Sequence, residues 1–162
     1  MGGSRGFTLT ELVLVLVIVG VLGAMIVPRM IGSPPLEART AADDIAAALR
    51  YAQQLGMNHD AAIRFRVDSG RYLLERDAGA GWVPHALPSG ELEGSVTSRL
   101  ALTPASLDLR FDRLGRPYSG STALNVELAV IVSAGVVPEN SHTLCVQPET
   151  GYVRVRHGAT GC

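Results

Sequence analysis

The pattern of hydrophobic and polar positions divides the chain into three regimes. From Leu12 to Pro28 no charged residue occurs, and the run from Leu12 to Val27 is apolar on every helical face. That excludes an ordinary amphipathic surface helix. At about 1.5 Å per residue, Phe7 to Val27 reaches about 30 Å, the thickness of a bilayer core, so the pattern predicts a membrane-spanning helix. Pro28 should kink this segment, and Gly32-Ser33-Pro34-Pro35 is a stronger break. From Leu36 to about Asn58 a helical period returns, with Leu36, Ile45, Leu49, Ala52 and Leu55 or Gly56 as the apolar positions.

Beyond this helix the period changes to two. Residues 61–67 alternate, Asp68-Ser69-Gly70 turns, and residues 71–75 return, which predicts a hairpin with Arg64, Arg66 and Arg71 toward water. A short strand at Trp82-Val83 leads into a Pro- and Gly-punctuated loop over 84–94. Further strands are predicted at 96–102, 107–111, 125–132, 143–146 and 152–155. Short strands with turn signals and no intervening helices argue an antiparallel sheet. The expected fold class is α+β: a long N-terminal membrane-spanning helix, broken or kinked near Pro28 and residues 32–35, whose second half (36–58) packs on an antiparallel β-sheet head (61–162).

Composition changes this picture little. With 162 residues there is room for one domain besides the anchor. A net charge of −1 gives no general pull toward nucleic acid or anionic lipid. Arg5 favours a cytoplasmic N-terminus, with Arg29 counting on the other side. If the head is exported, the two lone cysteines, Cys145 and Cys162, favour a disulfide over a metal site; two free buried thiols are the alternative.

Glu11 is the unusual residue of the apolar segment. A carboxylate carried to mid-bilayer costs on the order of 2.5–3.5 kcal/mol, and less near the interface, so the group calls for a partner. The leader Met1-Gly2-Gly3-Ser4-Arg5-Gly6, followed by Phe7 and then Glu11, resembles the processing site of type IV prepilins and pseudopilins. That resemblance implies a membrane-embedded peptidase that cuts between Gly6 and Phe7 and methylates the new Phe7 amine. It also implies that Glu11 pairs with the Phe7 amine of a neighbouring subunit. The corresponding division is a leader at 1–6, a transmembrane and assembly helix at 7–31, and a periplasmic head at 36–162. Two competing readings of the segment are a secretory signal peptide, whose apolar region is typically about 7–15 residues, and a plain single-pass anchor.

Two internal stretches extend the resemblance. Ala47-Ala48-Leu49-Arg50-Tyr51-Ala52-Gln53 is similar to the second half of the long helix in the GspH/FimT group of minor pilins and pseudopilins, which includes the MSHA-type pilus proteins. Residues 110–117 resemble the F-D-x-x-G-R-P turn of the same group. A C-terminal disulfide loop is common in the family and adds to the expectation for Cys145 and Cys162.

Catalytic chemistry finds no support in the sequence. His59, His85, His142 and His157 are scattered, without metal-ligand spacing, and no G-x-S-x-G or phosphate-binding loop occurs. Asp43 and Asp44 are adjacent on a helix and point apart. The expectation is therefore a non-enzyme without catalytic residues, metal or cofactor. The stretch 151–157 puts Arg154 and Arg156 on one side of a strand, with Tyr152 beside them, and arginines can neutralise phosphates while an aromatic can stack on a base. They partly resemble the G-R-x-R element of FimT-type minor pilins linked to DNA uptake, with Tyr152 in place of the first Arg. A charged strand edge that deters edge pairing is the competing reading.

The function these residues imply is a minor pilin or pseudopilin of a type IV pilus or type II secretion pseudopilus. Expected partners are prepilin peptidase, other pilin-like subunits, an inner-membrane assembly platform, membrane lipid and, on the C-terminal reading, DNA. The expected topology is single-pass in the inner membrane, with a cytoplasmic N-terminus and a periplasmic head that ends in the filament. A DNA-receptor subunit and a single-pass anchored periplasmic binding module are the alternatives.

Overall fold

The computed structural model describes residues 8–26, 33–59, 61–135 and 140–162. Two compact units divide the chain, Met1–Ser33 and Pro34–Cys162. In the first, α1 spans Leu9–Ile26. Its described large apolar side chains are all exposed, from 46% at Val15 to 80% at Leu9. An apolar surface with no covered stripe is what the absence of charge between Leu12 and Pro28 dictates. No helix among the described residues is long and apolar enough to cross a membrane. The described side chains of α1 end at Leu22, short of the roughly 20 apolar residues that a bilayer requires. The kink expected at Pro28 and the break at Gly32 lie outside the described residues.

In the second unit, α2 spans Pro34–Asn58, two residues longer at its start than expected. Pro34 and Pro35 sit in the first turn, where the missing N–H groups would have had no helical partner and the fixed φ suits a helix, so they begin α2 rather than break it. The buried face carries Ala38, Ala42, Ile45, Ala46, Ala48, Leu49, Ala52, Leu55 and Gly56. Leu36, expected on that face, is exposed. At about 100° per residue it lies opposite Ala38 and Ile45. Alanine dominates the face because the helix runs close to its sheets. A methyl group on Gly56 would come within 2.9 Å of the Phe111 carbonyl oxygen.

Among the described residues eleven strands follow: β1 (Ile63–Asp68), β2 (Arg71–Asp77), β3 (Trp82–His85), β4 (Gly94–Ser95), β5 (Leu100–Thr103), β6 (Ser106–Phe111), β7 (Pro117–Ser119), β8 (Thr122–Ala123), β9 (Leu128–Ala134), β10 (Ser141–Val146) and β11 (Val153–His157). They form two antiparallel sheets rather than one. The first runs β3-β2-β1-β6-β7-β8 with β4 on β2, and the second runs β11-β10-β9-β5. Helix α2 packs on strands of both. Ile63, Phe65, Val67, Leu74, Leu109 and Phe111 from the first sheet meet Val130, Val132, Leu144, Val146 and Val153 from the second in one core. The β1–β2 hairpin closes with Asp68 opposite Arg71. Ser69 and Gly70 between them both have positive φ, 51° and 83°. That two-residue geometry matches the twist of paired strands.

Arg66 and Arg71 are exposed as expected, but Arg64 is not: only 14% of its side chain remains accessible. It pairs with Glu75 across β1–β2 and with Asp108 on the other flank at 3.3 Å. Its guanidinium carbon lies 4.2 Å from the centre of the Trp82 ring, with Arg110 at 4.9 Å from the same ring. Alternation set the direction of Arg64 correctly, away from the core. The aromatic cover and the flanking acids come from residues distant in sequence.

β10 is buried on both faces. One face meets α2, and the C-terminal residues cover the other. The Thr143 hydroxyl donates to the Gly158 carbonyl at 2.7 Å, and Cys145 is bonded to Cys162, with Cα atoms 5.7 Å apart. The bridge closes a separation of 17 residues. In the chain-entropy account such a loop contributes about 3 kcal/mol. Cys162→Ala is therefore expected to lower the unfolding free energy of the head by about that amount. Urea titration followed by the fluorescence of Trp82, the single tryptophan, measures it.

Candidate assembly segment and head surfaces

The first turn of α1 is built around Thr8. Its hydroxyl accepts from the Glu11 N–H at 3.3 Å, and its carbonyl accepts from Glu11 at 3.1 Å and Leu12 at 3.1 Å. Thr8 is the residue before the helix and Glu11 the third within it, the T-x-x-E spacing of a capping box. An acid in the first turn also complements the positive end of the helix dipole. Glu11 therefore has a local reason for its position that the sequence reading missed, although the T-x-x-E signal was present. Its carboxylate is exposed and has no partner among the described residues. Gly6 and Phe7, the expected cleavage pair, lie outside the described residues.

At the other end of α2, Gln53 joins the two sheets. Its Nε2 donates to the Gly115 carbonyl at 3.1 Å and to the Thr150 carbonyl at 2.6 Å. The first lies in the β6–β7 turn and the second in the β10–β11 turn. Arg50 adds a bond from Nη2 to the Val153 carbonyl at 3.0 Å, and Tyr51 stacks on His85. The stretch Ala47–Gln53 thus supplies core alanines and leucine on one side and tethers to the turns on the other.

The β6–β7 turn follows the expected logic. The Asp112 carboxylate accepts from the backbone N–H of Leu114 at 2.9 Å and of Arg116 at 2.8 Å, while Gly115 takes φ +77°. Burial works against ionisation of Asp112. The backbone and side-chain bonds from Arg116, with the bond from Leu114, outweigh it and hold the carboxyl below the usual carboxylate range.

Tyr152, Arg154 and Arg156 fall on one face of β11 or beside it, and β11 is an edge strand. They do not form a row of free cations. Arg154 Nη2 reaches both Glu127 carboxylate oxygens, at 2.9 and 3.0 Å. Arg156 and Tyr152 are exposed. Glu127 also lies close to Cys145 and Cys162, but those sulfurs are bonded to each other and offer no thiolate. The sheet does bring together two of the histidines that look scattered in sequence. His142 and His157 are opposite on β10 and β11, with ring centres 5.1 Å apart and edge to face. Burial first, and His157 second, push His142 below the ordinary imidazole range, against a smaller pull from Asp43.

Residues 1–27 match the prokaryotic N-terminal methylation motif. That motif precedes a head in which one helix lies on antiparallel sheets, and solved structures of type IV pilin-like subunits share the fold of that head. The particular likenesses are to minor subunits. EpsH, the minor pseudopilin of the Type 2 Secretion System of Vibrio cholerae, superposes with TM-score 0.58 at 14% identity, covering 75% of this chain and 97% of that one. A second EpsH crystal structure gives TM-score 0.58 at 16% identity, covering 80% and 100%. FimU, a type IV minor pilin of Pseudomonas aeruginosa, gives TM-score 0.54 at 12% identity, covering 76% and 96%. At these identities the likeness is one of fold. No curated protein sequence matches the chain.

Proposed function

We propose that this chain is a minor pilin or pseudopilin subunit, cut by a prepilin peptidase between Gly6 and Phe7, methylated at Phe7, and incorporated into a type IV pilus or type II secretion pseudopilus. Residues 1–6 are the leader and 7–31 the helix that holds the subunit in the inner membrane, N-terminus cytoplasmic and head periplasmic, until the assembly platform extracts it. The pairing of Glu11 with the Phe7 amine of a neighbouring subunit sets the axial register, because only one offset brings acid and amine together. Two opposite charges in an apolar bundle attract strongly, and each alone would be penalised. Its role is assembly rather than catalysis.

One observation carries this reading: the N-terminal methylation motif and a head of minor-subunit fold occur in the same chain. The test is the mass of the protein isolated from membranes that contain an active prepilin peptidase. The expected product lacks the first six residues and carries one added methyl group, while Gly6→Leu leaves the leader in place. A wild-type chain that keeps Met1 under those conditions overturns the proposal and leaves a tethered periplasmic domain. DNA binding along β11 is not part of this reading, because Glu127 neutralises Arg154.

A further inference from the structure

A cavity of about 290 Å³ opens between α2 and the loop that joins β3 to β4. Its walls are of two kinds. Ala47, Ala48 and Leu87 are apolar, whereas Asp44, Glu91 and Glu93 place carboxylates around it. The loop is closed on itself, with Leu87 N–H bonded to the Glu91 carbonyl at 2.7 Å and Gly90 N–H to the Leu87 carbonyl at 2.9 Å. Glu91 is therefore carried on a shaped turn, while Asp44 stands on α2.

Charge is unbalanced here. Glu93 is shared with Arg71 at 3.4 Å, but neither Asp44 nor Glu91 has a cationic partner among the described residues. Tyr72 supplies the second, independent observation. Its residue is 8% exposed, it lines the cavity, and its hydroxyl makes no hydrogen bond among the described residues. Gly94, directly opposite on β4, lets the phenol lie there; a methyl group on Gly94 would stand 2.6 Å from the Tyr72 oxygen. The hydroxyl therefore keeps its hydrogen-bonding capacity free at the cavity wall. Burial, and then the charges of Asp44 and Glu91, push the phenol above its ordinary range, so it stays protonated and offers both a donor and lone pairs.

The arrangement also separates a metal ion from an organic cation. Among the described residues, the only group of three metal-ligating side chains close enough to share one ion involves Glu127, Cys145 and Cys162. Asp44, Glu91 and Glu93 are thus too far apart to coordinate an ion together. An alkyl cation meets both kinds of wall, with methylenes on Ala47, Ala48 and Leu87 and a charged head among the acids and Tyr72. The cavity lies at the small end of ligand sites, which run from roughly 300 to 1,000 Å³.

We propose that this cavity binds an organic cation, an alkyl ammonium or alkyl guanidinium group of the kind presented by a lysine or arginine side chain. The site is independent of the processing of the N-terminus.

The test is titration of the ¹⁵N-labelled full chain in detergent micelles with n-butylammonium and n-butylguanidinium, with n-butanol and calcium ion as comparisons. Saturable shifts of the Ala47, Ala48, Ser89 and Gly94 amides with either organic cation, and not with n-butanol, are expected. Asp44→Asn combined with Glu91→Gln should weaken the apparent affinity at least about tenfold, and Tyr72→Phe a few-fold, the general scale for lost charge-assisted and neutral hydrogen bonds. Equal shifts with n-butanol would show a merely apolar recess and overturn the proposal. Shifts with calcium alone, no saturable shift, or an unchanged affinity in the double variant would each overturn it as well. The substituted acids are surface residues, so the variants retain the fold, which their unperturbed core amides will verify.

Discussion

Gly151→Ala is expected to destabilise the head by about 2–5 kcal/mol, a large part of the 5–15 kcal/mol typical of a folded domain. Two costs add. Gly151 has φ +66°, where a side chain costs roughly 1–2 kcal/mol. Its methyl group would also overlap the Gly115 carbonyl oxygen and stand 2.6 Å from Gln53 Nε2. Overpacking of that kind costs about 1–3 kcal/mol. Gly120→Ala separates the two, because Gly120 has φ +61° but nothing within 4 Å of an added methyl group. It should show the backbone cost alone. Urea unfolding of both variants, read through Trp82, decides the matter; equal losses would mean that the junction at Gln53 carries no packing constraint.

Glu11→Gln is expected to reduce incorporation into filaments as severely as Glu11→Ala, by about two orders of magnitude. Two roles are separated by this variant, the capping position that the structure shows and the proposed pairing with an amine. Glutamine serves at the third position of a capping box nearly as well as glutamate, so helix initiation at Thr8 should survive. What it cannot do is neutralise an amine. An unpaired charge left in an apolar bundle costs about 3 kcal/mol or more, and each 1.4 kcal/mol is a factor of ten. Quantitative immunoblotting of sheared filaments against membrane-held subunit measures the ratio. Near-normal incorporation of the glutamine variant would leave capping as the only role of Glu11.

The parts of the fold legible in the sequence are those with local causes. The hairpin at Ser69-Gly70, the Asp112–Gly115 turn and the buried stripe Ile45-Leu49-Ala52 each depend on residues within a few positions of one another. The division into two sheets was not legible, because whether β9 pairs with β5 or with β6 is decided by contacts across the core. Strands β4, β7 and β8 are two or three residues long and carry no periodic signal. The same distinction holds for the sites. The methylation segment is a contiguous pattern and was read directly. The pairing of Arg154 with Glu127, and the meeting of Tyr72, Gly94 and Asp44 at one cavity, depend on chain segments brought together only by folding.

Gln53 grips both turns by their carbonyl groups, and every amino acid brings such a group. Relatives can therefore redecorate the tips of these loops without loosening the grip, provided that the glycines at 115 and 151 preserve the path of the chain. Evolutionary novelty on this part of the head costs little in folding, while the amide on the helix is not free to drift.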